Sequence, residues 1–470
     1  MKKYFLCCLL FVPLVFFSCN DESEITPDDE TTAENTEDDI SDETLVINQW
    51  IDENMANYYL WNNYLPEIDY TKESNSEDYF YKLLYEDDKW SWITDDYASL
   101  NAEFSGVPVS MGYDPSFYLF GDSVSVFMVV NYVYPDSPAD DAGLERGDII
   151  LSINNTELDT TNYYDLYSGS KYSVELGSAS NSVISYTGES IDMTARVTDA
   201  NPSIYHDIFE IDGKKIGYLV YVEFVVDDNL TFLSTLDNIF ADFNSAGISD
   251  LIVDLRYNPG GEIDAAAYLA SEIAPASVVS SEEVLVNMQY NDDLQAYLEY
   301  YEEDFPDYLS YKFSNEVTNA NMNRVYFLTT SGTASASELL ISGLEPYMDV
   351  VQIGERTYGK YTGAWVMPDD NDEWAMVPIV LKYANVNGYT EFKDGLEPDY
   401  EIEDDLLSAV PFGDTSDPMV AQAIELATGS VVATTLKTKS AYLPTFKKLK
   451  IPAKKELKRN LIVPLLKKEE

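Results

Sequence analysis

The chain has 470 residues, with 28 basic against 84 acidic side chains and a formal net charge of −56. So acidic a chain repels nucleic acid and anionic lipid, which argues against nucleic acid as a partner. Apolar residues make up 45%, enough for a sizeable core, and the length suits about three domains.

Lys2 and Lys3 form a positive n-region, and Leu6 to Phe17 is an apolar run too short to cross a bilayer. It ends at Phe16-Phe17-Ser18-Cys19, a small residue just before a cysteine. This resembles a bacterial lipobox, with phenylalanine at its two upstream positions. The resemblance implies that residues 1–18 are a lipoprotein signal peptide and that Cys19 is lipidated. The protein is then exported and lipid-anchored to the cell envelope, on the periplasmic or surface-exposed face of the outer membrane. An ordinary secretory signal with an incidental cysteine is the alternative. The cysteines are Cys7, Cys8 and Cys19, so a chain maturing at Cys19 keeps none for disulfides, zinc or thiol catalysis. No metal and no cofactor is expected.

Residues 19–44 read as an acidic disordered tether, since Asn20 to Thr44 carries no Lys or Arg. It resembles the surface-export signals of some Gram-negative lipoproteins, with a plain solvated spacer as the alternative. Residues 45–103 read as a helical region. Val46, Trp50, Met55, Tyr58 and Tyr59 recur at helical spacing, and Phe80, Leu83 and Leu84 suggest a second helix.

Residues 104–200 change character. Val124 to Val133 reads as a strand. Asp136-Ser137-Pro138-Ala139, Ala142-Gly143-Leu144 and Gly147 to Asn154 then read as a turn, a short helix, a tight turn and a buried strand. This stretch resembles a PDZ domain. The resemblance implies capture of peptide C-termini by strand addition to a sheet edge. It places a carboxylate-binding loop at Phe104-Ser105-Gly106-Val107, with Phe104, Gly106 and Val107 touching the peptide. Pro108, beside it, removes one N–H donor.

Residues 201–432 alternate strands and helices, the rhythm of an α/β core. The predicted elements are Ile216 to Val226, Leu230 to Phe243, Leu251 to Leu255, Ile263 to Ile273, Val325 to Thr329, Glu338 to Leu344 and Val350 to Ile353. An acidic, tyrosine-rich insertion between Ser277 and Asn323 is expected to be a lid over a cleft. Asp369 to Glu373 lacks the glycine and spacing of a calcium loop and reads as a hairpin turn. Residues 433–470 form a basic tail, with 11 Lys or Arg against 3 Glu from Leu436 onward. The tail is expected to lie on the acidic body or an anionic surface, or to stay disordered.

Two loops carry the chemistry. In the first, a strand runs into Arg256-Tyr257-Asn258-Pro259-Gly260-Gly261 and then a helix. Glycine N–H groups at a helix start suit an oxyanion hole, although a Pro-Gly-Gly turn is also common without function. In the second, a strand leads through Ser331-Gly332-Thr333-Ala334-Ser335-Ala336-Ser337 to Glu338. Small residues leave room beside a hydroxyl at a helix start. Ser335-x-x-Glu338 also fits a capping box, which needs no catalysis. A serine nucleophile needs a base. The chain has one histidine, His206, which reads as structural or surface, so a Ser–Lys arrangement is favoured. Lys360, in the glycine-flanked loop Gly359-Lys360-Tyr361-Thr362-Gly363, is the candidate if it is buried enough to be neutral.

In order, these segments resemble the C-terminal processing (tail-specific) serine peptidases, from the PDZ-like stretch to Gly395-Leu396-Glu397-Pro398-Asp399. The resemblance implies a multidomain α+β chain: N-terminal helical segment, PDZ domain and crotonase-like α/β catalytic core. It maps the nucleophile to Ser335, the base to Lys360 and a supporting carboxylate to Glu338. The oxyanion hole falls on Ala336 N–H with a glycine N–H from Gly260 or Gly261. The partners implied are protein or peptide substrates with free C-termini. Ala364 stands where many members have a glutamine that orients the lysine. A peptidase-like surface lipoprotein that binds peptides without cutting them is the alternative.

Overall fold

The computed structural model describes residues 40–180, 183–301, 305, 308–432, 446–449 and 461–462. The expected signal peptide, Cys19, most of the tether and most of the basic tail lie outside them. Helix α1 (Asp42–Tyr58) starts inside the stretch expected to be tether. Ser41 caps it by accepting the Thr44 N–H at 3.1 Å, and Asp42 and Glu43 suit its N-terminal dipole. It buries Ile47, Ile51 and Met55 against Tyr79, Phe80 and Leu83 of α2 (Ser76–Leu83). Helix α3 (Tyr97–Phe104) follows. Between α2 and α3 a strand not foreseen from periodicity, Trp92–Thr94, pairs with Ala375–Val377. It is too short for alternation to register.

The middle of the chain is one antiparallel sheet, in the order β1 (Tyr113–Leu119), β2 (Val126–Val133), β3 (Ile149–Ile153), β4 (Lys171–Ser180) and β5 (Val183–Thr194). Helix α4 (Pro138–Asp141) links β2 to β3. Helix α5 (Tyr163–Tyr167) lies on β1, with Tyr163 edge-on to Phe117 at 4.9 Å and Tyr167 edge-on to Tyr113 at 5.7 Å.

Next come β6 (Ser203–Ile211), β7 (Lys214–Tyr221), α6 (Thr231–Ala246), β8 (Asp250–Asp254) and α7 (Ile263–Ile273). They are followed by β9 (Val284–Tyr290), α8 (Asp292–Tyr300), β10 (Ser310–Lys312), β11 (Arg324–Thr329) and α9 (Ala336–Leu344). Last are β12 (Asp349–Gly354), β13 (Thr362–Ala364), β14 (Ile379–Asn385), β15 (Tyr400–Glu401) and α10 (Pro418–Thr428). The main sheet runs β6-β7-β8-β11-β12-β15 and is parallel from β7 onward. Its strands are apolar on both faces because helices cover both. Leu219, Val253, Val325 and Phe327 face the side of α6, α7 and α9. Their alternating neighbours Tyr218, Val220, Ile252, Tyr326 and Leu328 meet Met419, Val420 and Ile424 of α10.

A second sheet is ordered β10-β9-β14-β13. It corrects the expected lid: β9 pairs antiparallel with β14, from Val286↔Asn385 to Tyr290↔Leu381. The Asn291 amide then holds the Asn57 and Tyr59 carbonyls, both at 3.1 Å. Leu285, Tyr290, Leu294 and Leu298 of this segment therefore pack into the core, while Tyr297, Tyr300 and Tyr301 stay exposed. Two short pieces of the basic tail extend the sheets. Strand β16 (Lys447–Lys448) lies antiparallel to β1, and β17 (Leu461–Ile462) lies parallel to β13.

Candidate active site

Parallel neighbours turn at the same edge of a sheet. Leu328 of β11 lies opposite Asp254 of β8, and Ile353 of β12 lies opposite Leu328. The loops after these three strands therefore emerge side by side. They are the Asn258 to Gly261 turn, the Thr330 to Ser335 segment and the Glu355 to Lys360 segment. This edge of a parallel sheet is the usual place for a site.

The glycine turn is clamped from two sides. Phe224 N–H donates to Gly260 O at 2.9 Å, and Glu262 N–H donates to Phe224 O at 2.8 Å. Gly261 has φ +134°, and a Cβ there would fall 2.1 Å from Phe224 O. Gly260 has φ +112°, and a Cβ there would fall 2.7 Å from Ser335 Cβ and 3.1 Å from Ala336 N. Only glycine leaves the space beside Ser335 open. The Gly260 N–H is already taken by Asn258 Oδ1 at 2.9 Å. Of the two glycines, this leaves Gly261 as the candidate donor.

Ser335 sits at the N-cap of α9 with φ 60° and ψ −109°, a strained backbone for a side-chain-bearing residue. It is fully buried, and among the described residues its hydroxyl has no hydrogen-bond partner. Ser335 and Glu338 are arranged as a capping box, but the serine side chain makes no hydrogen bond in it. Glu338 Oε2 accepts the Ser335 N–H at 2.8 Å while the serine oxygen stays uncommitted. The next N–H, that of Ala336, belongs to the first turn of the helix, where donors lack intrahelical acceptors.

Lys360 is also fully buried. Burial pushes its amine well below the usual lysine range, against the charges of Asp88 and Glu338, which pull it up. Glu338 joins the two loops. Its Oε2 also accepts the Lys360 N–H at 2.8 Å, and its Oε1 accepts the Gly359 N–H at 2.7 Å and the Thr357 hydroxyl at 2.5 Å. Burial raises Glu338 to about 7, against these four donors. Tyr383 Oη lies 3.1 Å from Ser335 O and 3.2 Å from Lys360 O, its one proton shared between the two carbonyls. One carboxylate and one phenol therefore tie the backbones of Ser335 and Lys360 together.

Tyr383 and Asp88 escaped the sequence reading. Tyr383 is one of 37 tyrosines, and Asp88 sits in the run Glu86-Asp87-Asp88. Asp88 is positioned by Tyr59 Oη (2.7 Å), Ser91 Oγ (2.5 Å) and the Trp90 and Ser91 N–H groups (2.9 and 3.0 Å). The Asp88-x-x-Ser91 turn was the available signal. Ala364, at the expected glutamine position, is fully buried in an apolar cluster with Trp92, Leu100, Val377 and Ile379. His206 is exposed on edge strand β6.

The loop expected to bind a carboxylate is arranged otherwise. The N–H groups of Ser105, Gly106 and Val107 donate to Asn101 O (2.9 Å), Glu103 O (3.0 Å) and Ala102 O (3.1 Å). They satisfy the last carbonyls of α3, which would otherwise be orphaned. Phe104 ends that helix, and Gly106 lies against the Phe232 ring of α6. These residues thus close a helix and do not form an open donor cradle.

The glycine turn is anchored from behind. Buried Arg256 pairs with Asp254 (2.7 Å), Asp404 (3.1 Å) and Asp417 (2.8 Å). Arg146, from the middle sheet's β3 turn, donates to Tyr257 Oη at 2.7 Å and stacks on Tyr257 and Phe412.

The fold thus gathers a buried, uncommitted serine at a strained helix start, a buried lysine and a glycine turn at one edge of a parallel sheet. Comparison with known proteins carries this further. The model of peptidase family S41 matches residues 215–402, the S41 N-terminal domain 46–92 and a PDZ domain 129–173. The chain belongs to peptidase family S41 and is a serine peptidase with a PDZ domain. It is 26% identical to a carboxyl-terminal-processing protease of Picosynechococcus sp., over 70% of this chain and 72% of the relative. A carboxyl-terminal-processing protease of Synechocystis sp. is 25% identical over 63% of this chain and 64% of its own length. The crystal structure of a candidate S41 protease from Bacteroides fragilis aligns with a TM-score of 0.66 at 28% identity, covering 81% of this chain and 97% of that one.

Proposed function

We propose that this peptidase cuts proteins or peptides near their C-termini with a Ser335–Lys360 dyad, from a lipid anchor on the cell envelope. The observation that carries the dyad is the fully buried Ser335 hydroxyl, without a hydrogen-bond partner among the described residues, at a helix start tied to the Lys360 backbone through Glu338 and Tyr383. The neutral Lys360 amine takes the Ser335 proton as the oxygen attacks the scissile carbonyl. The N–H groups of Ala336 and Gly261 receive the tetrahedral oxyanion. The lysine ammonium then protonates the leaving amine, and water hydrolyses the acyl-serine by the reverse proton route.

The PDZ domain would present substrate by strand addition along the outer edge of β1, where main-chain bonds give affinity and pockets give selectivity. With the donors near Gly106 occupied, affinity rests on that strand pairing and on apolar contact with the cluster that β1 and α5 form.

The test is incubation of the protein with unfolded protein substrates, followed by mass spectrometry of the fragments. Cuts near C-termini are expected, absent in Ser335→Ala with an unchanged fold. Binding of the same substrates without any cleavage by the wild type would favour the binding-protein reading, and full activity of Ser335→Ala would exclude the dyad.

A further inference from the structure

The two described pieces of the basic tail sit on the two edges that a substrate strand would need. On the PDZ domain, Lys447 and Lys448 pair antiparallel with Leu119 and Tyr118 of β1, and the Leu449 N–H donates to Phe117 O at 2.8 Å. Phe446 and Leu449 are three apart, so they point to opposite faces of the added strand. Phe446 is buried edge-on to Phe127 (5.1 Å) and Phe120 (5.7 Å). Leu449 packs into the cluster that holds Phe117, Tyr163 and Tyr167, between β1 and α5. At the active site, Leu461 and Ile462 pair with Gly363 and Ala364, just past Lys360. The Ile462 N–H donates to Gly261 O at 2.9 Å. Backbone paired on that line runs between the oxyanion glycine and the strand that follows the base.

Charge supports the same seating. The tail from Leu436 has 11 basic against 3 acidic residues, while the whole chain is strongly acidic. The charge of Lys448 reaches Asp404, one of the carboxylates behind the glycine turn, and helps keep it ionised.

We infer that the chain's own C-terminal segment is a ligand in cis for both peptide-binding edges, and that it competes with substrate. This deepens the peptidase reading and rests on it for the active-site contact. An intramolecular ligand acts at an effective concentration of about millimolar, so weak contacts suffice to hold it. Substrate must displace the β16 strand to reach β1 and the β17 strand to reach Ser335. Substrates with tight-binding C-terminal segments are thereby selected over weak ones.

The test compares the full chain with its Phe446→Asp/Leu449→Asp variant on a fluorogenic peptide with a free C-terminus. The variant is expected to show an apparent KM lowered about ten-fold, with kcat at saturation nearly unchanged. A synthetic peptide spanning Phe446 to Ile462, added in trans, should raise that KM again as a competitor. Hydrogen exchange of the Phe117–Leu119 amides, the part of β1 that the tail strand covers, should quicken in the variant. This readout needs no activity, so a displaced tail is distinguishable from an inactive enzyme. If the double variant fails to fold, Ile462→Asp tests the second contact by the same KM measurement. Unchanged KM and unchanged exchange would overturn the inference. So would loss of the tail from wild type but not from Ser335→Ala during storage, which would mark the segment as a substrate consumed once.

Discussion

Lys360 is costly to bury, and as the proposed base it is useless when charged; both points can be measured. Its folded-state value lies well below the lysine range, whereas the unfolded value is about 10.4. Between the two, the unfolded chain binds a proton that the folded chain does not, so this group lowers stability as pH falls from about 10.4 to its folded value. Lys360→Met should therefore raise Tm at neutral pH by a few degrees and flatten its pH dependence, while kcat falls at least about 10³-fold. In the wild type, kcat should drop as pH falls through the folded value, because protonation removes the base. An unaltered acid limb in a folded Lys360→Met enzyme would sink the assignment. Glu338 is different, since all four of its partners are donors. Glu338→Gln turns an amide NH₂ toward at least one buried N–H. It should cost about 1–3 kcal/mol of stability and lower kcat with little change in KM. Calorimetry and initial rates together check both halves.

At the scale of elements, the site depends on three loops leaving adjacent parallel strands, and on what braces them. The clearest brace from outside the core is Arg146, whose guanidinium bonds Tyr257 Oη and the Asn131 and Val410 carbonyls and stacks on two rings. Arg146→Met keeps the stem and removes the donors. It should leave Asp404 with one cation fewer and destabilise the chain by about 3 kcal/mol, the usual cost of breaking a buried pair. Because Tyr257 adjoins Asn258 and the glycine turn, kcat should fall as well. A melting curve and a rate assay that both match wild type would show that the PDZ domain and the glycine turn are not coupled through this contact. The elements themselves were largely legible. Ile263–Ile273 was read to the residue, and β8, β11 and β12 to within one or two, because long apolar runs between glycines leave few alternatives. The β9–α8–β10 segment was misread because its partners, β14 and α1, lie far away in sequence.

For the whole molecule, the N-terminal region is part of the catalytic body. Leu60 N–H bonds Ile379 O, Ile379 N–H bonds Ser91 Oγ, and Asp88 acts on Lys360. The lipid anchor is a separate expectation, since Cys19 lies outside the described residues. Cys19→Ala should release the protein from the membrane fraction or block its maturation. One acyl chain holds a protein only marginally, so the multiple chains of bacterial lipoproteins are needed. Membrane association that survives the substitution, with no lipid on the mature N-terminus, would remove the anchor from the reading. Among the described residues no helix is long and apolar enough to cross a membrane.

The sequence by itself determined the ingredients: a lone histidine, a serine at a helix start, one glycine-flanked lysine and a Gly-Gly turn. These signals are local, set by residue type and spacing over a few positions. Which groups meet was decided only by the fold. Parallel pairing of β8, β11 and β12 brought three loops, well apart in sequence, to one edge. Burial pushes the Lys360 amine well below the usual lysine range, and the Asn258 side chain occupies the Gly260 N–H but not that of Gly261. The same holds for Asp88, Tyr383 and the tail strands on β1 and β13. Their roles come from contacts across distant segments, which no window of sequence contains.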